Sequence, residues 1–260
     1  MKTTSHFVAG LPQLDIHTLS EDWAIATSLE NHWRILSDSM GLKPSQWIDS
    51  QGDRMYSAVM WLSTWFDLDD VIREDDAFAA ESEFLSISKP HAISSTKFVV
   101  DGKAKAEVRI LTSLIKRKVK GSNKKFAKVR EIWQAEDYHP EIIDAELDRH
   151  HAMKSHASEG VLALEYEINR IQDFNTADFL YFKNFVRISK AAEWRENRAR
   201  APRLNSHRDC WYFGNVEDGE TVQAHVARAG DACVTELTDC NARRLFLSIA
   251  ETPLVTIAPR

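Results

Sequence analysis

Two carboxylates and a histidine share one helical stretch, and they are the first residues here that could do chemistry. Glu21 and Asp22 sit near the start of the run Thr18–Met40, and His32 follows deeper in it. A carboxylate in a first helical turn is favoured by the partial positive charge of that end. Thr18 and Glu21 also have the spacing of a capping box, with Ser20 as the alternative cap, which accounts for Glu21 without any chemistry. His32 could move a proton near neutral pH, or it could be a hydrogen-bonded core residue. A second group is Asp173-Phe174-Asn175. Asp and Asn are preferred N-caps. The same residues could place a carboxylate and an amide beside open backbone N–H groups that polarise a carbonyl.

The run Lys116 to Arg130 carries Lys116, Arg117, Lys118, Lys120, Lys124, Lys125, Lys128 and Arg130 and no acid. Such a run attracts phosphates and acidic protein faces, chiefly by raising association rates, although a solvated hairpin face is the plain alternative. Gly121-Ser122-Asn123 in its middle marks a loop. His139, His150, His151 and His156 fit no H-E-x-x-H pattern and have no cysteine beside them, so no metal site is expected. Cys210, Cys233 and Cys240 are scattered and read as small hydrophobes.

The elements that must position these residues follow from periodicity. Ile25, Leu29, Trp33, Leu36 and Met40 recur at helical spacing up to Gly41, a residue suited to a C-cap. Ala24, Ala26 and Trp23 add apolar surface on other sides, which predicts a helix wrapped by its surroundings. Strand-like runs follow at Arg54–Phe66, Ala77–Ser88, Ala92–Val100 and Lys103–Lys118, the last two joined by the hairpin signal Asp101-Gly102. The order then repeats. Leu162–Ile171 alternates like a strand and Ala177–Arg198 is helical, with Phe182, Phe185, Ile188 and Ala192 in one stripe. Asp209–Val216, Thr221–Arg228 and Leu245–Thr252 read as further strands, with turns at Asp218-Gly219 and Gly230-Asp231. Between the halves, Val129–Ser155 is charged, helical in pattern and broken at Pro140, as a linker would be. The predicted organisation is an N-terminal domain over 1–128, a helical linker over 129–158 and a C-terminal domain over 159–260. An α+β double hot-dog, two tandem curved antiparallel sheets each wrapping a long central helix, has this element order.

Composition narrows the class. The 260 residues carry 33 Lys and Arg against 39 Asp and Glu, a net charge of −6, which disfavours a general nucleic-acid binder. With 43% apolar residues, eight Trp and twelve Phe, a packed core is expected rather than disorder. No apolar run reaches the roughly 20 residues of a membrane helix, and Met1–Gly10 has no signal-peptide core. Three cysteines without a CxxC pair suit a reducing cytoplasm.

Several segments in order carry a resemblance. Leu14–Trp33 (LDIHTLSEDWAIATSLENHW), Gly52–Ala58 (GDRMYSA), Glu74–Lys89 and Ile168–Ile188 (INRIQDFNTADFLYFKNFVRI) resemble a family of double hot-dog biosynthetic-cluster proteins related to the leinamycin-pathway acyltransferase/decarboxylase. The resemblance spans roughly Leu11–Thr256 and is weakest in the last forty residues. It implies acyl-thioester processing in polyketide-type metabolism. The substrate would be a malonyl- or methylmalonyl-type CoA, decarboxylated and passed to an acyl carrier protein, with no bound cofactor. The family's active-site tyrosine matches Tyr56, which needs a neighbouring base or cation to act as nucleophile. The resemblance also suggests Glu21 as base or nucleophile, strengthens Asp173 and Asn175, and makes Lys116, Arg117, Lys118, Lys124 and Lys125 a docking surface for the carrier or CoA phosphates. The chain departs from the family at Ser20-Glu21-Asp22 and at Thr176, where relatives carry Gly/His/Asn-like residues and Gly. Two other functions fit the same fold: a hot-dog thioesterase or dehydratase using a carboxylate base, and a non-catalytic carrier-binding module. Either a monomer or a homodimer is compatible, since hot-dog sheets pair edge to edge.

Overall fold

The computed structural model describes residues 1–129, 138–156, 159–197 and 204–253. The chain forms two compact units, Met1–Ala152 and Met153–Arg260. In the first, β1 (Lys2–Val8) precedes α1 (Glu21–Met40). Then come β2 (Met55–Phe66), β3 (Ala77–Ser88), β4 (His91–Val100), β5 (Lys103–Arg117) and the short β6 (Phe126–Lys128). These strands form an antiparallel sheet in the order β1-β3-β4-β5-β2. β4 stops pairing at Ser113, and β6 takes up β5 again from Ile115 to Arg117. α1 packs against β1 through β5, so one helix buries its surface on the whole sheet. Ala24, Ile25, Leu29, Ile35 and Leu36 are buried on it. Trp47, Met55, Phe84, Ile87, Leu114 and Val129 close the core around its C-terminal half.

α2 (Pro140–Lys154) begins at a proline, which is suited to a first helical turn, and buries Ile143 alone. The second unit continues with β7 (Val161–Glu167), α3 (Arg170–Asp173), α4 (Phe182–Asn197), β8 (His207–Tyr212), β9 (Thr221–Ala229), β10 (Ala232–Thr238) and β11 (Arg244–Glu251). Its sheet runs β8-β11-β10-β9-β7, all antiparallel. α4 lies on β7, β9, β10 and β11 and buries Phe182, Phe185, Val186, Ile188 and Ala192. Matched in chain order, the two sheets have the same topology. Leaving the short β6 aside, each unit has one strand, a long helix, then four strands, with the second strand at one edge of the unit's own strand order and the first at the other. The architecture is a double hot-dog.

Several sequence expectations need correction. The N-cap of α1 is Ser20, whose Oγ accepts from the Trp23 N–H at 3.4 Å, and Thr18 instead donates its own N–H to Asp15. Pro140 is the first residue of α2, and most of the helical pattern expected before it, 130–137, lies outside the described residues. The expected strand over 162–171 ends at Glu167, and residues 170–173 are helical with Asn169 as cap. The second long helix begins at Phe182 rather than Ala177, because the Asn175 side chain accepts the N–H groups of Ala177 and Phe179 in a turn. Its expected last residue, Arg198, lies outside the described residues, as does Arg130 of the basic run. β1, β6 and β10 were not anticipated. The Asp101-Gly102 hairpin forms with φ of 47° and 75°, the left-handed pair its two-residue turn requires.

Candidate functional site

Tyr56 lies at the start of β2, where the strand pairs with the end of β5, and the register sets Met55 against Lys116 and Tyr56 against Ile115. Arg117, one residue further on β5, folds back over the ring. Its Nη1 donates to the Tyr56 oxygen at 3.0 Å, and its guanidinium carbon stands 5.1 Å from the ring centroid. Asn123, buried in the loop after β5, accepts from Arg117 Nε and Nη2 at 3.3 and 2.8 Å and fixes that orientation. The half-buried phenol oxygen therefore faces a held cation. Negative charge that forms on this oxygen is stabilised by a charge-assisted hydrogen bond already in place.

Lys116 points away from Arg117 into an acidic turn. It donates to Asp49, Gln51 and Asp53 at 2.5, 2.7 and 2.8 Å. The lysine contact and two backbone N–H donors hold the Asp49 carboxyl below its ordinary range, and the two carboxylates raise Lys116. The basic run is thus divided. Lys116 and Arg117 are engaged in structure, while Lys118, Lys120, Lys124, Lys125 and Lys128 are exposed. Lys118 and Lys125 sit across the hairpin from each other, joined by a backbone hydrogen bond of 2.9 Å. Lys118, Lys120 and Lys125 make no ion pair among the described residues.

Glu21 is buried at the first turn of α1 and accepts from Thr64 Oγ1 at 3.0 Å. Thr64 is eight residues along β2 from Tyr56, roughly 26 Å at the ~3.3 Å rise of a strand. The structure therefore places Glu21 and Tyr56 at opposite ends of one strand. His32 is fully buried. Its Nδ1 and Nε2 pair with Ser94 Oγ and Thr112 Oγ1 at 2.7 and 2.8 Å, and its ring meets Phe84 edge on. Burial pushes its pKa down to about 3, so it is a neutral link between α1, β4 and β5.

Asp173 and Asn175 do not lie at the N-terminus of α4, which starts at Phe182. The Asp173 carboxylate is 1% exposed and accepts from Arg187 Nη2 at 2.7 Å, from the Asn169 N–H at 3.0 Å, and from the Tyr166 hydroxyl at 3.1 and 3.2 Å. Asn175 caps its own turn through Oδ1. Sequence reasoning missed Tyr166 and Arg187, since their meeting depends on how β7 packs on α4. It also missed Arg208 on β8. That residue is wholly buried, forks onto Glu193 of α4 at 2.7 and 3.0 Å and donates to Ser248 of β11. Thr235 also donates to Glu193, and burial with the nearby Glu193 charge raises Cys233 to about 11. Among the described residues, no three His, Cys, Asp or Glu gather in a way that could hold a metal. No described helix is long and apolar enough to cross a membrane.

No family model matches the sequence, and curated proteins give no match. In three dimensions the chain is similar to an acyl-ACP thioesterase from Bacteroides thetaiotaomicron, with a TM-score of 0.67 and 10% identity over 97% of this chain and 98% of that one. It is also similar to the 12:0-ACP thioesterase from Umbellularia californica, with a TM-score of 0.70 and 9% identity over 97% of each chain. At these identities the likeness establishes the double hot-dog fold over the whole length and leaves the chemistry to this chain's own residues.

Proposed function

We propose that this chain processes acyl thioesters of coenzyme A or an acyl carrier protein, and that Tyr56 takes the acyl group. The observation that carries this reading is Arg117 held by Asn123 against the Tyr56 oxygen, one residue from the exposed lysines of the β5–β6 hairpin. The phenol oxygen attacks the thioester carbonyl and the C–S bond breaks. The phenol proton leaves with the thiolate, so the products are an acyl ester of Tyr56 and a free thiol. The thiol of a carrier's prosthetic arm then attacks that ester. Tyr56 leaves as an oxyanion stabilised by Arg117 and regains a proton. With a malonyl- or methylmalonyl-type acyl group, loss of CO2 gives an enolate that takes up a proton, and the carrier receives an acetyl or propionyl group. The resemblance to the leinamycin-related family supports this version, and the hairpin lysines supply the anion-attracting surface it needs.

Hydrolysis is the second reading. It is favoured by the fold shared with two acyl-ACP thioesterases. Intact-protein mass spectrometry separates the two after incubation with malonyl-, methylmalonyl- and acetyl-CoA, with and without a carrier protein. An acyl adduct on the chain and an acylated carrier are expected. Free acid and free CoA without either product would replace acyl transfer by hydrolysis.

A further inference from the structure

The second unit contains a tyrosine site of its own. Arg187 treats Tyr166 as Arg117 treats Tyr56: its Nη2 donates to the phenol oxygen at 3.0 Å and its guanidinium carbon lies 5.1 Å from the ring centroid. The Tyr166 hydroxyl donates to both oxygens of Asp173, at 3.2 and 3.1 Å. Asp173 is itself fixed by Arg187 and by the Asn169 N–H, and Asn184 ties Arg187 Nε and the Asp173 carbonyl to α4. A nucleophile in reach of a base, with the base oriented by further groups, is the arrangement that activates weak nucleophiles.

The duplication supplies an internal control for a purely structural role. Before α1, an isolated bridge joins Leu14 to Leu19, and before α4 one joins Phe174 to Leu180. The Ser20 N–H donates to the Gln13 carbonyl at 2.8 Å, and the Tyr181 N–H donates to that of Asp173 at 2.9 Å. Gln13 is therefore the counterpart of Asp173. Its side-chain oxygen also accepts a local backbone N–H, from Gly10 at 3.1 Å, as Asp173 does from Asn169. A neutral amide suffices to shape this turn in the first unit. The carboxylate, Tyr166 and Arg187 exceed what the turn requires. Tyr166 is only half-buried, on the outermost strand of its sheet, and Arg187 is 44% exposed, so the site opens to solvent.

We propose that Tyr166 is a second acyl-accepting nucleophile, with Asp173 as its base and Arg187 as the cation on its oxygen. Asp173 takes the phenol proton as the oxygen bonds to the acyl carbon. The bond to the leaving group breaks, and that group departs with the proton, leaving an acyl ester on Tyr166. The choice of acyl thioesters as donors rests on the function proposed above; the reactivity of Tyr166 does not.

The test is peptide-mapped acetylation of the whole chain by p-nitrophenyl acetate and, separately, by acetyl-CoA. Tyr138, 52% exposed and with no carboxylate on its hydroxyl among the described residues, is the control within the same molecule. Acetylation of Tyr166 at least about tenfold faster than of Tyr138 is expected. It should persist in Tyr56→Phe and disappear in Asp173→Asn. Because the wild-type comparison needs no variant, the test survives if Asp173→Asn does not fold. Reaction of Tyr166 with p-nitrophenyl acetate but not acetyl-CoA supports the nucleophile and counts against thioester donors alone. Tyr166 reacting no faster than Tyr138, or unchanged in a folded Asp173→Asn protein, overturns the proposal.

Discussion

Arg117 reaches Tyr56 across two neighbouring strands, donating to its oxygen at 3.0 Å while covering its ring. If that cation stabilises the oxygen as charge forms and leaves, its removal must slow chemistry more than binding. Arg117→Gln is expected to lower kcat for carrier acylation by about 100-fold, the usual cost of losing one preorganised donor. KM should change little. Arg117→Lys, which keeps the charge but loses the fork onto Asn123, should fall between. Steady-state kinetics with varied carrier concentration checks this; a change confined to KM would assign Arg117 to docking.

The exposed hairpin lysines predict a different signature. Replacing Lys118, Lys120 and Lys125 together by Glu should lower kcat/KM for carrier-linked substrate about tenfold at low salt and leave kcat intact. The difference should shrink as ionic strength rises and the screening length falls below about 10 Å. A salt-independent loss of kcat would contradict a steering role.

His32 makes a prediction about stability. Folded, it is held to about 3; unfolded, it titrates near 6.5. Between those values the unfolded chain binds a proton that the folded chain refuses, so stability falls as pH falls through the window and is flat above it. The loss from pH 7.5 to pH 4 should be roughly 3 kcal/mol from this residue. Urea unfolding at several pH values should show that slope reduced in His32→Gln, itself less stable because Ser94 and Thr112 lose their partners. An unchanged slope would contradict the assignment.

What the sequence made legible, and what it did not, divides by range. The central helix of the first unit was readable from its apolar spacing and Gly41, and the β4–β5 hairpin from Asp101-Gly102, because both signals are local. The repeated order of elements was readable for the same reason. β1 escaped because KTTSHFV is an edge strand with polar residues on its open face, and β10 because ACVTELT is short and half polar. The start of α4 was misplaced because Ala177–Tyr181 continues the apolar pattern while the Asn175 side chain captures its N–H groups. Tyr56 is singled out by resemblance and Asp173 by its cap-like motif, which the resemblance strengthens, yet neither reading reaches their partners. Arg117 is 61 positions from Tyr56, and only strand register brings them together. The pairing of Arg208 with Glu193 has no sequence signal, since the two residues meet only through the fold.

That buried pair predicts a stability pattern of its own. Arg208→Met should cost about 3–5 kcal/mol, because it leaves the largely buried Glu193 charge without its cation. The double variant Arg208→Met/Glu193→Leu should recover most of that loss. Chemical denaturation of the two variants decides it; equal destabilisation in both would mean that packing around Arg208, not its charge partner, dominates.

In the proposed reaction, acyl chemistry in the first unit occurs at the Tyr56 end of β2 and not at the Glu21 end. The most direct measurement is the single-turnover rate at which acyl ester forms on the Tyr56 peptide, followed by quenched-flow and peptide mapping with malonyl-CoA. In Glu21→Gln the rate should stay within about fivefold of wild type, whereas Arg117→Gln should slow it about 100-fold. No ester at Tyr56, or its formation abolished by Glu21→Gln and indifferent to Arg117→Gln, would contradict the account.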